Sequence, residues 1–349
     1  MLFKVLKLVL PKRARNWLRS HPLRIHAWME PWRLLSAYLY DFRRYMRHSL
    51  TEFSERLPFK RLTNTQLKAF LVMHAHSIER GLSLQNVRPL FGEQKLKLLD
   101  RLVAEASSTR RRLSLCDEVT IAREALLGYV VWHRVRGVNP IDVYPFLLPY
   151  SENSGHLLAS ANILLTRDEV LRSAKGTIAQ AIASRYSVRQ FLPTRIDEEA
   201  VHQAMAIASK SPSVCNRQGF RVHEIRDAQR IREALLIQGG SSGFLEAVPL
   251  LLVVSTKAPV FFGLYERNQP FVDGGLYAMS LMLAFHYLGW ATCPLNWCAS
   301  PGKDRHFRRA FSFPDDELIV MFLAVGQMPE QLLVPASRRL RHVMRPSLL

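Results

Sequence analysis

The run RYSVRQF, Arg185 to Phe191, holds the residues of this 349-residue chain best suited to grip an anion. Guanidinium groups are planar, permanently charged donors, and Ser187 places a hydroxyl between two of them, so Arg185, Ser187 and Arg189 together suit a phosphate. A solvated charged face uses the same i, i+4 spacing, so the run alone does not decide the matter. A second run, SPSVCNRQGF at Ser211 to Phe220, brings Ser213, Asn216 and Gln218 onto one expected loop. Side chains of these types can serve a heterocycle with several acceptors, and equally can satisfy local backbone groups as ordinary turn chemistry.

Other candidates point to structure. In HAHSIERGLS, His74 to Ser83, the two histidines stand at i and i+2, which point apart on a helix, so His74, His76 and Glu79 make a poor metal set. Glu79 and Arg80 are expected to form polar contacts, with Gly81 closing the helix. Cys293 and Cys298 lie five residues apart around Pro294 without CxxC spacing and read as small apolar groups. No Ser-His-Asp arrangement and no metal cluster is evident.

These residues need elements to position them. From about residue 61 to 170 the apolar spacing is mostly helical, as in Leu67, Phe70 and Leu71 and again in Leu96, Leu99, Leu102 and Val103, with Asn64 as a helix cap. Pro140, Pro145 and Pro149 break this region, and the NSG at 153 to 155 predicts a turn before a helical stretch near Gly155 to Leu165. After about Leu171 short β-type runs alternate with helices, the texture of an α+β or α/β domain. Strands are predicted at Phe220 to Ile225, Leu250 to Ser255 and Leu318 to Val325. Helices are predicted at 177 to 183, at Asp197 to Ser209 with Asp197 as cap, and at Gly275 to Tyr287, ended by Gly289.

Composition narrows the function classes. A formal net charge of +19 favours phosphate-bearing cofactors, nucleic acid or anionic membranes. Residues 1 to 60 carry thirteen Lys or Arg against four acids, and Trp17, Trp28, Trp32, Tyr38, Tyr40, Phe42 and Tyr45 alternate with the arginines there. That pattern suits a helix lying on an anionic membrane surface, or one whose aromatic face packs on protein. Residues 2 to 10 are far short of the roughly 20 needed to span a bilayer and match no export signal. Four cysteines without a dense framework fit a reduced, cytoplasmic compartment, with or without peripheral contact at the inner face of the membrane. No helix-turn-helix, zinc finger or RNA-binding signature gives the charge a nucleic-acid docking geometry.

Two further segments complete a pattern. DGGLYAMSLMLAFHYLGW from Asp273 is apolar nearly all round, as in a core or a large interface, and leads into TCPLNW at Thr292 to Trp297. LIVMFLAVGQMPE from Leu318 reads as a buried strand ending at Gly326, followed by PASRRLR at Pro335 to Arg341. Over about residues 175 to 342, RxSxR, PSxxNxQ, the core helix with its CPLxW-like turn, and the strand ending in G with a late PxSR resemble, in that order, the nitroreductase superfamily of FMN enzymes. HAHSIERGLS and RPLFG, at Arg88 to Gly92, resemble a region ahead of that domain in some longer bacterial members.

The resemblance implies a three-layer α/β/α domain with a mostly antiparallel sheet at 171 to 349, preceded by a basic amphipathic segment at 1 to 60 and a helical region at 61 to 170. It implies that Arg185, Tyr186, Ser187 and Arg189 hold the FMN phosphate and ribityl chain, joined by Arg338. Pro212, Ser213 and Asn216 would reach the flavin of a second subunit, making a homodimer, and Pro294, Leu295 and Asn296 would pass the flavin N5 edge. The implied activity is hydride transfer from NAD(P)H to FMN and on to a small organic acceptor, in ping-pong order. Within the superfamily, reductive dehalogenases and flavin-fragmenting enzymes are alternatives. In another class, a flavin fold with little turnover would act as a peripheral membrane or assembly factor through the basic segment. The chain departs from the family pattern at Arg217, Gly219 and Phe220, where a small polar residue, Pro and Trp are common. It departs again at Ala336, where many members carry Lys, and at Asn296 and Trp297, in place of residues often acidic or small.

Overall fold

A computed structural model describes residues 31–43, 58–151, 162–262 and 264–341. It separates into two compact units, one of residues 1–57 with 262–267, the other of 58–261 with 268–349. In the first unit, residues 31–43 form helix α1, and Arg267 holds Asp41 through a two-pronged ion pair of 2.7 and 2.8 Å. Most of the aromatic and basic pattern of residues 1 to 60 lies outside the described residues.

The second unit begins with three helices, α2 (Asn64–Leu82), α3 (Glu93–Ser107) and α4 (Asp117–Arg134), followed by the single turn α5 (Pro140–Val143). Their apolar faces supply a buried core of Leu67, Phe70, Leu71, Ile78, Leu96, Leu99, Leu102, Ala125, Leu126 and Tyr129. The cap of α2 is Thr63 rather than Asn64. Thr63 accepts from the Gln66 backbone while Gln66 returns the bond, a reciprocal capping box that Asn64, one residue too late, cannot form. Nor does Gly81 close that helix, which runs on to Leu82; a Cβ at 81 would run into the Phe91 ring, so glycine admits a close approach instead. The RPLFG segment is thereby clamped, with His133 Nε2 accepting from the Leu90 backbone at 3.0 Å and the Tyr129 and Tyr144 hydroxyls donating to the carbonyls of Phe91 and Leu90.

The rest is the domain that carries the sheet. Its elements are β1 (Asn162–Thr166), α6 (Arg167–Ala174), α7 (Ile178–Ser184), α8 (Glu198–Ala208), β2 (Phe220–Ile225), α9 (Ala228–Gln238) and β3 (Leu250–Lys257). Then come α10 (Gln269–Tyr287), β4 (Trp290–Asn296), α11 (Pro301–Phe311), β5 (Glu317–Gln327) and β6 (Gln331–Pro335). The four-stranded sheet runs β2-β3-β5-β4 with every pair antiparallel. Alternation along the central strands sends Leu251, Val253, Phe322 and Ala324 to a core shared with α9 and α11. Leu250, Leu252, Val254, Leu323 and Val325 point to a core shared with α8 and α10. The result is the expected α+β architecture of helices, antiparallel sheet and helices, preceded by helices.

Three expectations are corrected. The helical stretch near Gly155 to Leu165 ends in a strand: residues 155–161 lie outside the described ones, and Asn162–Thr166 pair with Gln331–Pro335. Local periodicity does not register a partner more than 160 residues away. The turn at Thr292 to Asn296 is part of β4, because its backbone pairs with Met321 to Val325. Helix α10 starts at Gln269, before Gly275, with Pro270 in its first turn, a position where a missing N–H costs nothing.

Candidate functional site

The RYSVRQF segment follows α7, whose capping box joins Thr177 and Gln180. It lies against the free side of β4: Ser187 bridges Thr292 in parallel, and the Val188 N–H donates to the Thr292 carbonyl at 2.9 Å. Four residues later the Leu192 N–H donates to Gln327 at 2.9 Å. Phe191 presses on the backbone of Gly326, where an added Cβ would stand 2.6 Å from the ring. With Val188 and Phe191 packed inward, the intervening residues are fixed, and Arg185 and Arg189 are turned toward one cavity.

That cavity, of about 440 Å³, is lined by Arg185, Tyr186, Ser187 and Arg189, by Pro335 to Arg339 after β6, by Ile182 and Met279, and by His76 from α2. Four of its walls are arginines. Burial first, and then the like charge of Arg339, lowers the Arg185 pKa from the ordinary arginine value. Burial likewise lowers that of Arg189, whose side chain is 9 % exposed and which has Arg80 nearby. Arginine keeps its proton under such stress, so the cavity holds desolvated positive charge. Arg185 Nε and Nη1 are buried without a hydrogen-bond partner. An unmade bond of a buried charged donor costs about 1–3 kcal/mol or more, and an anion in the cavity removes that cost.

Arg338 also lines the cavity and pairs with Glu124 of α4 at 2.7 Å. Burial raises the Glu124 carboxyl above the usual range, against the pull of Arg338. Behind the cavity, His286 Nε2 is hydrogen-bonded to Ser184 Oγ at 2.8 Å. Burial, with Arg185 beside it, lowers His286 to about 4, which keeps the ring neutral at physiological pH.

Not every expected residue joins this cluster. Arg185, Tyr186, Ser187, Arg189 and Arg338 come together, whereas Pro212, Ser213 and Asn216 are absent from the cavity lining. They sit on a loop that turns sharply, with Cys215, Asn216 and Gln218 all at positive φ, unusual for side-chain-bearing residues. Asp273 of α10 anchors this loop by accepting from the Val214 N–H at 3.1 Å, and Ser213 Oγ accepts from the Gln218 N–H at 2.9 Å. Pro212 and Asn216 are exposed. Pro294, Leu295 and Asn296 lie on β4 outside the cavity lining, with Leu295 buried and Asn296 exposed.

The departures at Arg217, Gly219 and Phe220 have local reasons. Arg217 donates to the Val260 carbonyl at 2.7 Å and stands over the Phe261 ring. Gly219 lets the same segment come close, since a Cβ there would be 2.6 Å from Val260 Cγ2. Phe220 stacks on Tyr277 with ring centroids 4.1 Å apart. A larger cavity of about 670 Å³ lies elsewhere, near Trp132 and Gln190. Its arginines, Arg88 and Arg136, are exposed and hydrated, so it lacks the desolvated donors of the first.

The nitroreductase family model matches residues 182–239 and 236–327. The C-terminal half of the chain is a nitroreductase-family domain. It is an oxidoreductase domain in the general sense, and RYSVRQF, the loop, α10, β4 and β5 all fall within the matched residues or touch their edge. Solved structures similar to the nitroreductase-family domain include a putative NADH oxidase from Clostridium acetobutylicum. It has 17% identity, covers 43% of this chain and 87% of that one, and gives a TM-score of 0.39. A nitroreductase with bound FMN from Desulfitobacterium hafniense has 22% identity, the same coverages and a TM-score of 0.36. A nitroreductase family protein from Clostridium difficile has 19% identity, covers 50% of this chain and 95% of that one, and gives 0.38. No curated protein sequence matches the chain.

Arg339, Met279 and His76 line the same cavity and are not among the residues that the sequence assigns to the cofactor. The doubled arginine in PASRRLR was the signal for Arg339; for His76, a residue more than 100 positions upstream on a helix, the sequence carried none.

Proposed function

We propose that this chain is an FMN-dependent oxidoreductase that passes electrons from NAD(P)H to a small organic acceptor. The observation that carries the reading is the pairing of half-buried Arg185 with buried Arg189, two buried Arg185 donors standing unpartnered inside one basic cavity. A phosphate monoester matches them in charge and geometry. Bound FMN would supply the redox chemistry. Arg185, Ser187, Arg189 and Arg338 would hold its phosphate, Tyr186 would lie beside the ribityl chain, and the β4 segment Pro294, Leu295 and Asn296 would face the ring edge. The domain would work as a homodimer. In support, α10 leaves Val272, Leu276 and Met279 exposed on one stripe, Met279 lining the cavity mouth with Ile182, while Pro212 and Asn216 stand outward on their loop. Fluorescence titration with FMN tests this: tight binding by the native protein, abolished in Arg185→Ala/Arg189→Ala, is the expected result, and equal affinity of the two proteins would refute the site.

A second reading rests on α1, whose Trp32, Tyr38, Tyr40 and Phe42 are each more than half exposed beside Arg33 and Arg43. Such a helix suits peripheral contact with an anionic membrane from the cytoplasmic side. Sedimentation with anionic vesicles tests it; binding that survives deletion of residues 1 to 50 would remove it.

A further inference from the structure

The cavity that gathers the arginines of the C-terminal half has one wall from outside that half. Helix α2 places His76 against it, across from Ser187 and Arg338 in the chain's order but beside them in space. The placement is fixed from three directions. Leu71, Ala75 and Ile78 bury the opposite face of α2. Asn162 at the start of β1 donates to the Glu79 carbonyl at 2.9 Å, and β1 pairs with β6, the strand leading into PASRRLR. Arg80 donates to the Gly240 carbonyl at 3.2 Å. The helix is thus fastened to the same framework that carries Pro335 to Arg339.

The chemistry of His76 is set by the residue one turn later. Glu79, 3 % exposed, lies 3.4 Å from His76 Nδ1 through its Oε2. A carboxylate on Nδ1 selects the ring orientation and leaves Nε2 for another partner. No second hydrogen bond to the His76 ring is made among the described residues, and the side chain, 43 % exposed, lines the cavity. The remaining polar side chains lining the cavity are four arginines and the hydroxyls of Tyr186, Ser187 and Ser337, all able to donate and none of them anionic. With Nδ1–H given to Glu79, Nε2 donates to an anion as part of the imidazolium, a form that a carboxylate on one side and a phosphate on the other would favour.

We propose that His76 is a phosphate-contacting residue of the cofactor site and that Glu79 is its positioning residue, so that the helical region completes the binding site of the C-terminal domain. The inference rests on the FMN reading above. The ligand class is a phosphate monoester on a flavin, and His76 adds a directed Nε2–H bond to a phosphate oxygen alongside Arg185 and Arg189.

The test compares FMN with riboflavin, which lacks the phosphate, in equilibrium titrations of the full-length wild type, His76→Ala, His76→Gln and Glu79→Gln, with circular dichroism confirming each fold. His76→Ala is expected to weaken FMN binding by about tenfold, the worth of one charge-assisted bond, and to leave riboflavin affinity unchanged. His76→Gln, which keeps an N–H donor, is expected to recover part of the loss, and Glu79→Gln to weaken FMN by less. Unaltered FMN affinity in His76→Ala, or an equal loss for riboflavin, overturns the proposal while the Arg185 and Arg189 assignment stands. A wild type that binds neither flavin overturns both.

Discussion

The RYSVRQF segment and the Ser211 to Phe220 loop carry the same kinds of polar residue and are held in opposite ways. RYSVRQF is tied at both ends to β4 and β5, with Arg185 half-buried, Arg189 buried and both lining one cavity. The loop is bent through three left-handed residues, anchored from beneath by Asp273, and shows Pro212 and Asn216 to the outside. Under the proposed FMN site, one half would be built within the chain and the other displayed, as a half that serves a second copy requires.

The largest effect expected from this contrast is at the inward half. Replacing Arg185 and Arg189 with Ala should weaken FMN binding by about a hundredfold or more, since two charge-assisted bonds are worth about 3–6 kcal/mol together. Titration by flavin fluorescence measures it. The contrast itself is tested by mixing. Ser213→Ala/Asn216→Ala alone and Arg185→Ala/Arg189→Ala alone should each bind poorly, and a refolded mixture of the two should regain FMN sites, because each mixed dimer contains one intact combination. A mixture no better than its components would place both halves in one chain.

Smaller effects follow at the supports. Leu276→Glu on the exposed stripe of α10 should give a monomer by light scattering and weaken FMN binding by about tenfold; an unchanged dimer would move the interface elsewhere. Asp273→Asn should lower stability by about 1–2 kcal/mol in urea melts, since Asp273 is 1 % exposed and accepts from both Val214 N–H and Gln269 Nε2. A further effect concerns pH. His286 is held at about 4 in the folded chain against an ordinary 6.5, so the unfolded chain takes up its proton first as pH falls. Stability should therefore be full above about 6.5 and decline toward 4, and His286→Gln should show a flatter decline of Tm over that interval.

Much of this was legible in the sequence. β2 was read to the residue, β3 and β5 within two residues at their ends, and Asp197 does cap α8 by accepting from the Ala200 N–H at 2.8 Å. These elements declare themselves locally, through alternation, apolar runs and capping chemistry. β4, β1 and β6 did not. β4 contains Pro294 and looks locally like a turn, and β1 and β6 are strands only because they pair with each other across about half the chain. At the site the same rule holds: Arg185, Ser187 and Arg189 stand out by spacing, whereas His76 belongs to the cavity through the packing of α2, which no short window records.

The most direct test of the central claim is the absorption spectrum of the natively purified protein, with heat release and mass identification of any chromophore. Flavin bands and released FMN at close to one per chain are the expected result. A colourless protein that also takes up no added FMN would contradict it.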